Sequence, residues 1–465
     1  MIFGVNAKLR DLIQNEKAAA LLEAALPGIC GQAQSNSQAG QLSVEQLVRY
    51  TRVPNGEALL SGLDASLQEL NRTESTISPE EAELIQRFRQ IQQTAASHRP
   101  ATAPHHQNAI CPGQPWLDTE GKRIQAHGGA VLYEDGTYYW YGENKEYTDG
   151  QNGVWTWGIR AYASTDLCNW KDLGLIIPPV LDDPNSCMFP AKRIDRPHIL
   201  KCPETGKYVC WIKLSGPEAA FSVWQADRLL GPYTLVKSLY NPGGYKIGDF
   251  DMVADEDTGK GYLYFDADHK AMVCMELSPD YLHAQREVSR SYADLHPPFT
   301  REAPCLFACG GQKYMITSGM TGYVPNQSDW AISDSWEAPF ESMGNPHVND
   351  ESHASFNSQI SKIFAVEGRD GVFIAMADRW LPRYPVDARI ADLFTRVVGS
   401  AYAPEKYQAT DEERQEMYAG NQLETANTSI ADYVWLPLKV SPADAAHPRG
   451  KVEIFWQERW SPASL

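Results

Sequence analysis

The sequence is short of every mark of export or membrane insertion. Lys8, Arg10, Asp11, Glu16 and Lys17 interrupt its start, and no unbroken apolar h-region follows. No secretory signal is expected, and a cytoplasmic or cell-retained protein is the expectation. No stretch approaches ~18 apolar residues, so no membrane-spanning helix is expected. Positive charge is scarce: 41 Lys and Arg stand against 59 Asp and Glu, a formal net charge of -18. That balance argues against a nucleic-acid backbone or an anionic membrane surface as partner, and fits a neutral or cationic small substrate as well as plain solubility. The nine cysteines include no close CxxC pair, so they read as reduced and structural. Asn71-Arg72-Thr73 matches a glycosylation sequon, which has little meaning without export.

Aromatic residues, by contrast, are plentiful: 11% of 465 residues, with 13 Trp and 22 Tyr. Such rings stack on the C–H faces of pyranoses, and they pack β-rich cores equally well. The length sets a prior of two or three domains. Residues 1–96 read as an α-helical bundle. Leu9, Leu12 and Ile13 share a face, Ala18–Leu26 is a run of helix formers stopped by Pro27-Gly28, and Ser43-Val44-Glu45-Gln46 is a capping box. Leu59, Leu60, Leu63, Leu67 and Leu70 form a stripe, and Ser78-Pro79 opens a last helix. No catalytic constellation lies in this bundle. Docking onto the next domain is its simplest role, with homo-oligomerisation as the other. Residues 97–108 form a Pro/Ala/His-rich linker in which His105-His106 is read as no metal site.

From 109 to 465 the character changes to short β-branched and aromatic runs separated by turns. Five hairpins align: Ala130–Tyr133 with Thr137–Tyr141, His198–Leu200 with Lys207–Ile212, Met252–Ala254 with Gly261–Phe265, Cys305–Phe307 with Lys313–Thr317, and Ile360–Phe364 with Val372–Ala377. Each pair is joined through a Gly-containing turn. Repeats of roughly 50–60 residues built of strands and turns predict propeller blades, here a five-bladed β-propeller.

The residues just before the five first strands would ring one mouth of the central channel. They are His127, Asp195, Asp251, Glu302 and Gln359, and Glu143 at the end of a second strand could join them. Three carboxylates converging on one funnel cannot all ionise cheaply, so at least one should hold its proton. Glycoside hydrolysis needs that arrangement, one protonated acid and a partner that controls a water or attacks the sugar. Strand-start carboxylates also cap turns or pair with arginine, for which Arg196, Arg301 and Arg379 are available.

Taken in order, Ala126-His127-Gly128-Gly129, Tyr138-Tyr139-Trp140-Tyr141-Gly142-Glu143, Asp195-Arg196-Pro197, Asp251, Arg301-Glu302-Ala303-Pro304, Ser318-Gly319-Met320-Thr321-Gly322, Ser358-Gln359 and Asp378-Arg379-Trp380 resemble the family 43 glycoside hydrolases, most closely the exo-β-1,3-galactanase branch. The resemblance covers about Gln125 to Trp460 and implies an inverting mechanism on a five-bladed propeller. It implies Glu302 as general acid, Asp251 as the carboxylate tuning its pKa, and Gln359 as holder of the attacking water. Glu143, Asp195 and Thr321 fall at substrate-binding positions. The aspartate base found in most of the family is missing: His127 stands in that region. An amide is a poor base, so proton removal would be late or assisted by Glu143 or His127. An oligosaccharide substrate is implied, with no cofactor. A central calcium or chloride occurs in parts of the family, and His353 could lie near it, but a buried, hydrogen-bonded histidine is the simpler reading and no metal is expected. Galactose release from β-galactan-type oligosaccharides is the first reading. α-L-Arabinofuranoside or β-xyloside hydrolysis on the same fold, and a non-catalytic glycan-binding propeller, stay open.

Overall fold

The computed structural model describes all residues except 1–2, 6, 37–38, 41, 75–77, 98–103, 385 and 421–425. Part of the expected linker therefore lies outside the described residues, as do the side chains of the sequon.

The helical region contains α1 (Leu9–Leu12), α2 (Glu16–Ala25), α3 (Ile29–Ser35), α4 (Val44–Thr51), α5 (Gly56–Glu74) and α6 (Pro79–Ser97). Local chemistry sets these boundaries. Asn15 caps α2 by accepting from Lys17 and Ala18 amides, and Ser43 and Gln46 close a reciprocal capping box on α4. Leu60, Leu63, Leu67 and Leu70 bury the expected stripe of α5 against Leu9, Leu12, Leu22 and Val48.

Five antiparallel sheets follow in chain order. Blade 1 is β1 (His127–Glu134), β2 (Thr137–Glu143), β3 (Ile159–Ser164) and β4 (Lys171–Ile177). Blade 2 is β5 (Ile194–Lys201), β6 (Tyr208–Leu214), β7 (Ala220–Ala226) and β8 (Thr234–Tyr240). Blade 3 is β9 (Ile247–Ala254), β10 (Gly261–Ala267), β11 (Ala271–Leu277) and β12 (Ala284–Ser291). Blade 4 is β13 (Arg301–Cys309), β14 (Gln312–Gly319), β15 (Asp329–Ser333) and β16 (Glu341–Gly344). Blade 5 is β18 (Gln359–Ala365), β19 (Val372–Arg379), β20 (Asp432–Ser441) and β21 (Lys451–Phe455), with β17 (His347–Val348) parallel to β21 at its outer edge. First strands contact one another in a closed circuit, β1 to β5 to β9 to β13 to β18 and back to β1. This is a five-bladed propeller, and the ring leaves no exposed sheet face between blades.

Hydrophobic layers between blades hold the ring. The seam between blades 1 and 5 is aromatic: Trp116, Trp140, Trp170 and Trp435 pack with Tyr433. Reciprocal backbone bonds between Ile110 and Trp460 tie the two ends of the propeller together there. Of the 13 tryptophans, only Trp155, Trp380 and Trp456 are not buried. The aromatic wealth is thus mostly core, and two of the three exceptions reach the site described below.

Two helices are inserted within blade 5. Between β19 and β20 lie α7 (Ala388–Tyr402) and α8 (Asp411–Gly420). Asp387 caps α7, and Leu393, Phe394 and Val397 pack it onto Val324 and Ala354 beside the mouth of blades 4 and 5. No helix among the described residues is long and apolar enough to cross a membrane.

Candidate active site

The site lies where the first strands begin. In blades 1, 2 and 4 the pairing with the second strand breaks directly after the expected residue, between His127 and Ala130, Asp195 and His198, and Glu302 and Cys305. The next residue in each case has positive φ: Gly128 at 59°, Arg196 at 51° and Ala303 at 50°. Such bulges turn a strand and re-aim its side chains. At Gly128 glycine is also required by space, because a Cβ would stand 2.4 Å from Glu143 Oε1.

Glu302, Gln359 and Arg196 come together. The Gln359 amide donates to Glu302 Oε1 at 3.2 Å and to Ser318 Oγ at 2.8 Å, while its carbonyl accepts from Arg196 Nη2. Arg196 Nε lies 2.9 Å from Asp249 Oδ2, and Lys213 Nζ lies 2.5 Å from Asp249 Oδ1. Burial and the Asp249 carboxylate push the Glu302 pKa up to about 8, against the pull of Lys213 and Arg196. Despite its own burial, Asp249 is held well below the usual carboxylate range by those two cations. Glu302 is therefore mostly protonated at neutral pH and Asp249 ionised.

Glu143 and Asp195 form the neighbouring wall. Glu143 Oε1 accepts from the Arg196 backbone amide at 2.9 Å, and Lys145 Nζ stands 2.7 Å from Oε2. Burial raises the Glu143 pKa to about 7, with Lys145 lowering it and Asp195 raising it. Asp195 accepts from Trp155 Nε1 at 2.9 Å and from the Ser215 hydroxyl. Tyr323, which sequence reasoning missed, stands between Trp155 and Trp380, with ring centroids 6.2 Å and 5.5 Å away. Burial, then the carboxylates of Asp195 and Glu143, hold its phenol well above the ordinary range.

Three expected members lie elsewhere. Asp251 is fully buried and does not face Glu302. Its oxygens accept from the Leu306 and Met252 amides at 2.8 Å and 2.7 Å and from Lys362 Nζ at 2.7 Å and 2.6 Å. Leu306 is four residues past Glu302, so Asp251 caps the channel edge of β13 and joins blades 3, 4 and 5. The cause is an irregularity in β9, where pairing shifts between Ile247 and Phe250, which puts Asp249 at the mouth. His127 is also completely buried: Nδ1 lies 2.9 Å from Asp378, Nε2 lies 3.2 Å from the Tyr433 hydroxyl, and its ring stacks on Tyr433. It is part of the wall behind the site, out of reach of a sugar. Thr321 donates to Val324 O and accepts from Asn326 Nδ2 at 2.7 Å, closing the turn that presents Tyr323. Of the three arginines, only Arg196 pairs with a carboxylate here; Arg301 bonds Thr317, and Arg379 bonds the Phe356 and Asn357 carbonyls. Among the described residues, no group of three or more His, Cys, Asp or Glu could hold a metal ion.

Comparison with known proteins bears on the fold and the family. No curated protein matches the chain. Among solved structures, a family 43 β-1,3-galactosidase superposes with a TM-score of 0.60 at 27% identity, covering 77% of this chain and 64% of that one. The exo-β-1,3-galactanase from Clostridium thermocellum gives 0.57 at 25% identity, covering 76% and 66%. The exo-β-1,3-galactanase from Phanerochaete chrysosporium gives 0.57 at 22% identity, covering 76% and 68%, a likeness of fold. Residues 125–372 match the sequence profile described as glycosyl hydrolases family 43, and the chain belongs to that family.

Proposed function

We propose that this protein is an exo-acting, inverting glycoside hydrolase that releases galactose from the ends of short β-1,3-linked galacto-oligosaccharides. The observation that carries the reading is the half-buried Glu302 carboxyl, hydrogen-bonded by Gln359 and pushed up to a pKa of about 8 beside the ionised Asp249. Solved relatives at 25% identity or above include β-1,3-galactosidases and an exo-β-1,3-galactanase, which supports galactose as the sugar.

In this mechanism Glu302 gives its proton to the glycosidic oxygen as the C–O bond breaks. A water on the opposite face of the ring supplies the new C–O bond. Groups 3.2 Å apart leave no room for a sugar ring, so substrate entry replaces the Gln359–Glu302 bond and frees that amide to hold the water. Gln359 cannot take the water's proton. Glu143 is the nearby acceptor with a suitable pKa, about 7, and shares Arg196 with Gln359. Asp249 tunes Glu302, the role that the resemblance alone would give to Asp251. Trp155, Tyr323 and Trp380 offer the sugar aromatic surfaces.

Glu302→Gln tests this reading against a non-catalytic glycan-binding propeller. A hydrolase loses its rate on β-1,3-galactobiose by roughly 10²–10⁴-fold, the range for removing a general acid, while galactose still binds. A wild-type protein that cleaves nothing in a panel of galacto-, arabino- and xylo-oligosaccharides contradicts it.

A further inference from the structure

The helical region lies outside the family match, which begins at residue 125, yet it touches the connection that sets two of the site's carboxylates. Residues 144–158 join β2 to β3. On the inner side of this loop, Lys145 faces Glu143, and Lys145 Nζ donates to Trp155 O at 3.0 Å and to Thr156 Oγ1 at 2.8 Å. Trp155 holds Asp195, and Thr156 Oγ1 donates to Ile194 O at 3.2 Å. On the outer side the same few residues meet α6. Phe88 is fully buried, its ring 6.1 Å from Trp157 and 5.2 Å from Phe189, with Ile85 and Val154 in the same cluster. Arg87 Nη1 donates to Asn152 O at 3.1 Å. Leu84 lies so close to Gly153, whose φ is 81°, that a Cβ there would meet it at 2.7 Å.

We propose that α6 is a positioning element of the active site, and that Phe88 is its anchor. By holding Val154, Trp157 and Phe189 in one apolar cluster, Phe88 fixes the segment whose next residues present the Trp155 indole to Asp195 and the Lys145 ammonium to Glu143. The helical region is on this account part of the sugar-binding apparatus. The inference rests on reading Glu143 and Asp195 as sugar-binding groups, but its structural half can be tested without that reading.

The test uses the full chain with Phe88→Ala, Phe88→Leu and Arg87→Ala. Leu67→Ala, which loosens the bundle core away from α6, serves as control. Hydrogen exchange over residues 144–158 should quicken in Phe88→Ala and Arg87→Ala and stay at the wild-type rate in Leu67→Ala. Loss of an aligned hydrogen bond to a carboxylate is worth about tenfold. In Phe88→Ala the KM for β-1,3-galactobiose and the inhibition constant of galactose should therefore each rise by about that factor, with kcat changed far less. Phe88→Leu should recover most of the difference. Unchanged exchange over 144–158 in both Phe88→Ala and Arg87→Ala overturns the proposal, whatever the enzyme's activity. Should Phe88→Ala fail to fold, Arg87→Ala decides by the same exchange measurement. Faster exchange with KM and inhibition constant unmoved in an active enzyme overturns the positioning role alone, and an inactive wild type that does not bind galactose refutes the hydrolase reading instead.

Discussion

Arg196 Nε lies 2.9 Å from Asp249 Oδ2, and the same guanidinium donates to the Gln359 carbonyl. One cation therefore joins the carboxylate that acts on Glu302 to the amide proposed to hold water. Its backbone amide also binds Glu143, so three of the four polar groups of the proposed mechanism bond a single buried arginine.

Asp249 and Asp251 can be told apart by pH. The hydrolase reading needs Glu302 protonated, so kcat/KM should fall as pH rises through about 8. Asp249→Asn removes the anion and leaves Arg196 and Lys213 acting on Glu302. Both changes lower the Glu302 pKa, and the basic limb should move down by about one unit or more. Asp251→Asn should leave that limb in place and lower Tm. A limb that follows Asp251 and ignores Asp249 would reverse the assignment.

Lys362→Met should destabilise the propeller by about 3 kcal/mol, because it strips the cation from a buried carboxylate. Asp251 would keep the Leu306 and Met252 amides and the His198 ring, whose Nδ1 lies 3.5 Å from its Oδ1. Urea unfolding monitored by tryptophan fluorescence measures the loss, and a variant as stable as wild type would show that the Lys362–Asp251 bond does not hold the blades.

Glu302 should also be a stability liability at high pH. Its pKa in the fold, about 8, lies above the ordinary value of 4.5. Between those values the folded state binds more protons than the unfolded state, so this group's contribution falls as pH rises. Glutamine does not titrate. The Tm of Glu302→Gln minus that of wild type should grow from about pH 5 to about pH 8. A difference that is flat or shrinks over that window would mean that Glu302 is not held protonated.

Azide supplies a nucleophile that needs no base. It should accelerate Glu143→Ala on an activated aryl galactoside, where the proton acceptor is gone. Acceleration confined to Gln359→Ala would remove Glu143 from the proton transfer.

Much of this architecture is legible in the chain, and the reasons are local. Asp135-Gly136 and Gly310-Gly311 force hairpin turns wherever they sit, so the blade repeat shows without any tertiary information. The placement of Glu302 follows from it, since the bulge after Glu302 leaves its position beside the apolar run unchanged. Asp249 was hidden because the irregularity in β9 is set by packing of Gly248 against Asp266, where a Cβ would come within 2.1 Å, and no local pattern announces it. His127 sits at the right place in its strand, but Asp378 and Tyr433 arrive from blade 5 to enclose it. The α7–α8 insertion did leave a signal, the spacing of Ile390, Leu393, Phe394 and Val397 after a capping Asp387.

The most direct measurement is a proton NMR time course of wild-type enzyme on β-1,3-galactobiose whose reducing end has been reduced to galactitol, so that all galactose released comes from the non-reducing end. Inverting exo-hydrolysis predicts that α-galactose from the non-reducing end appears first and then mutarotates. First appearance of β-galactose would contradict the proposed mechanism, and the absence of any galactose would contradict the proposed function.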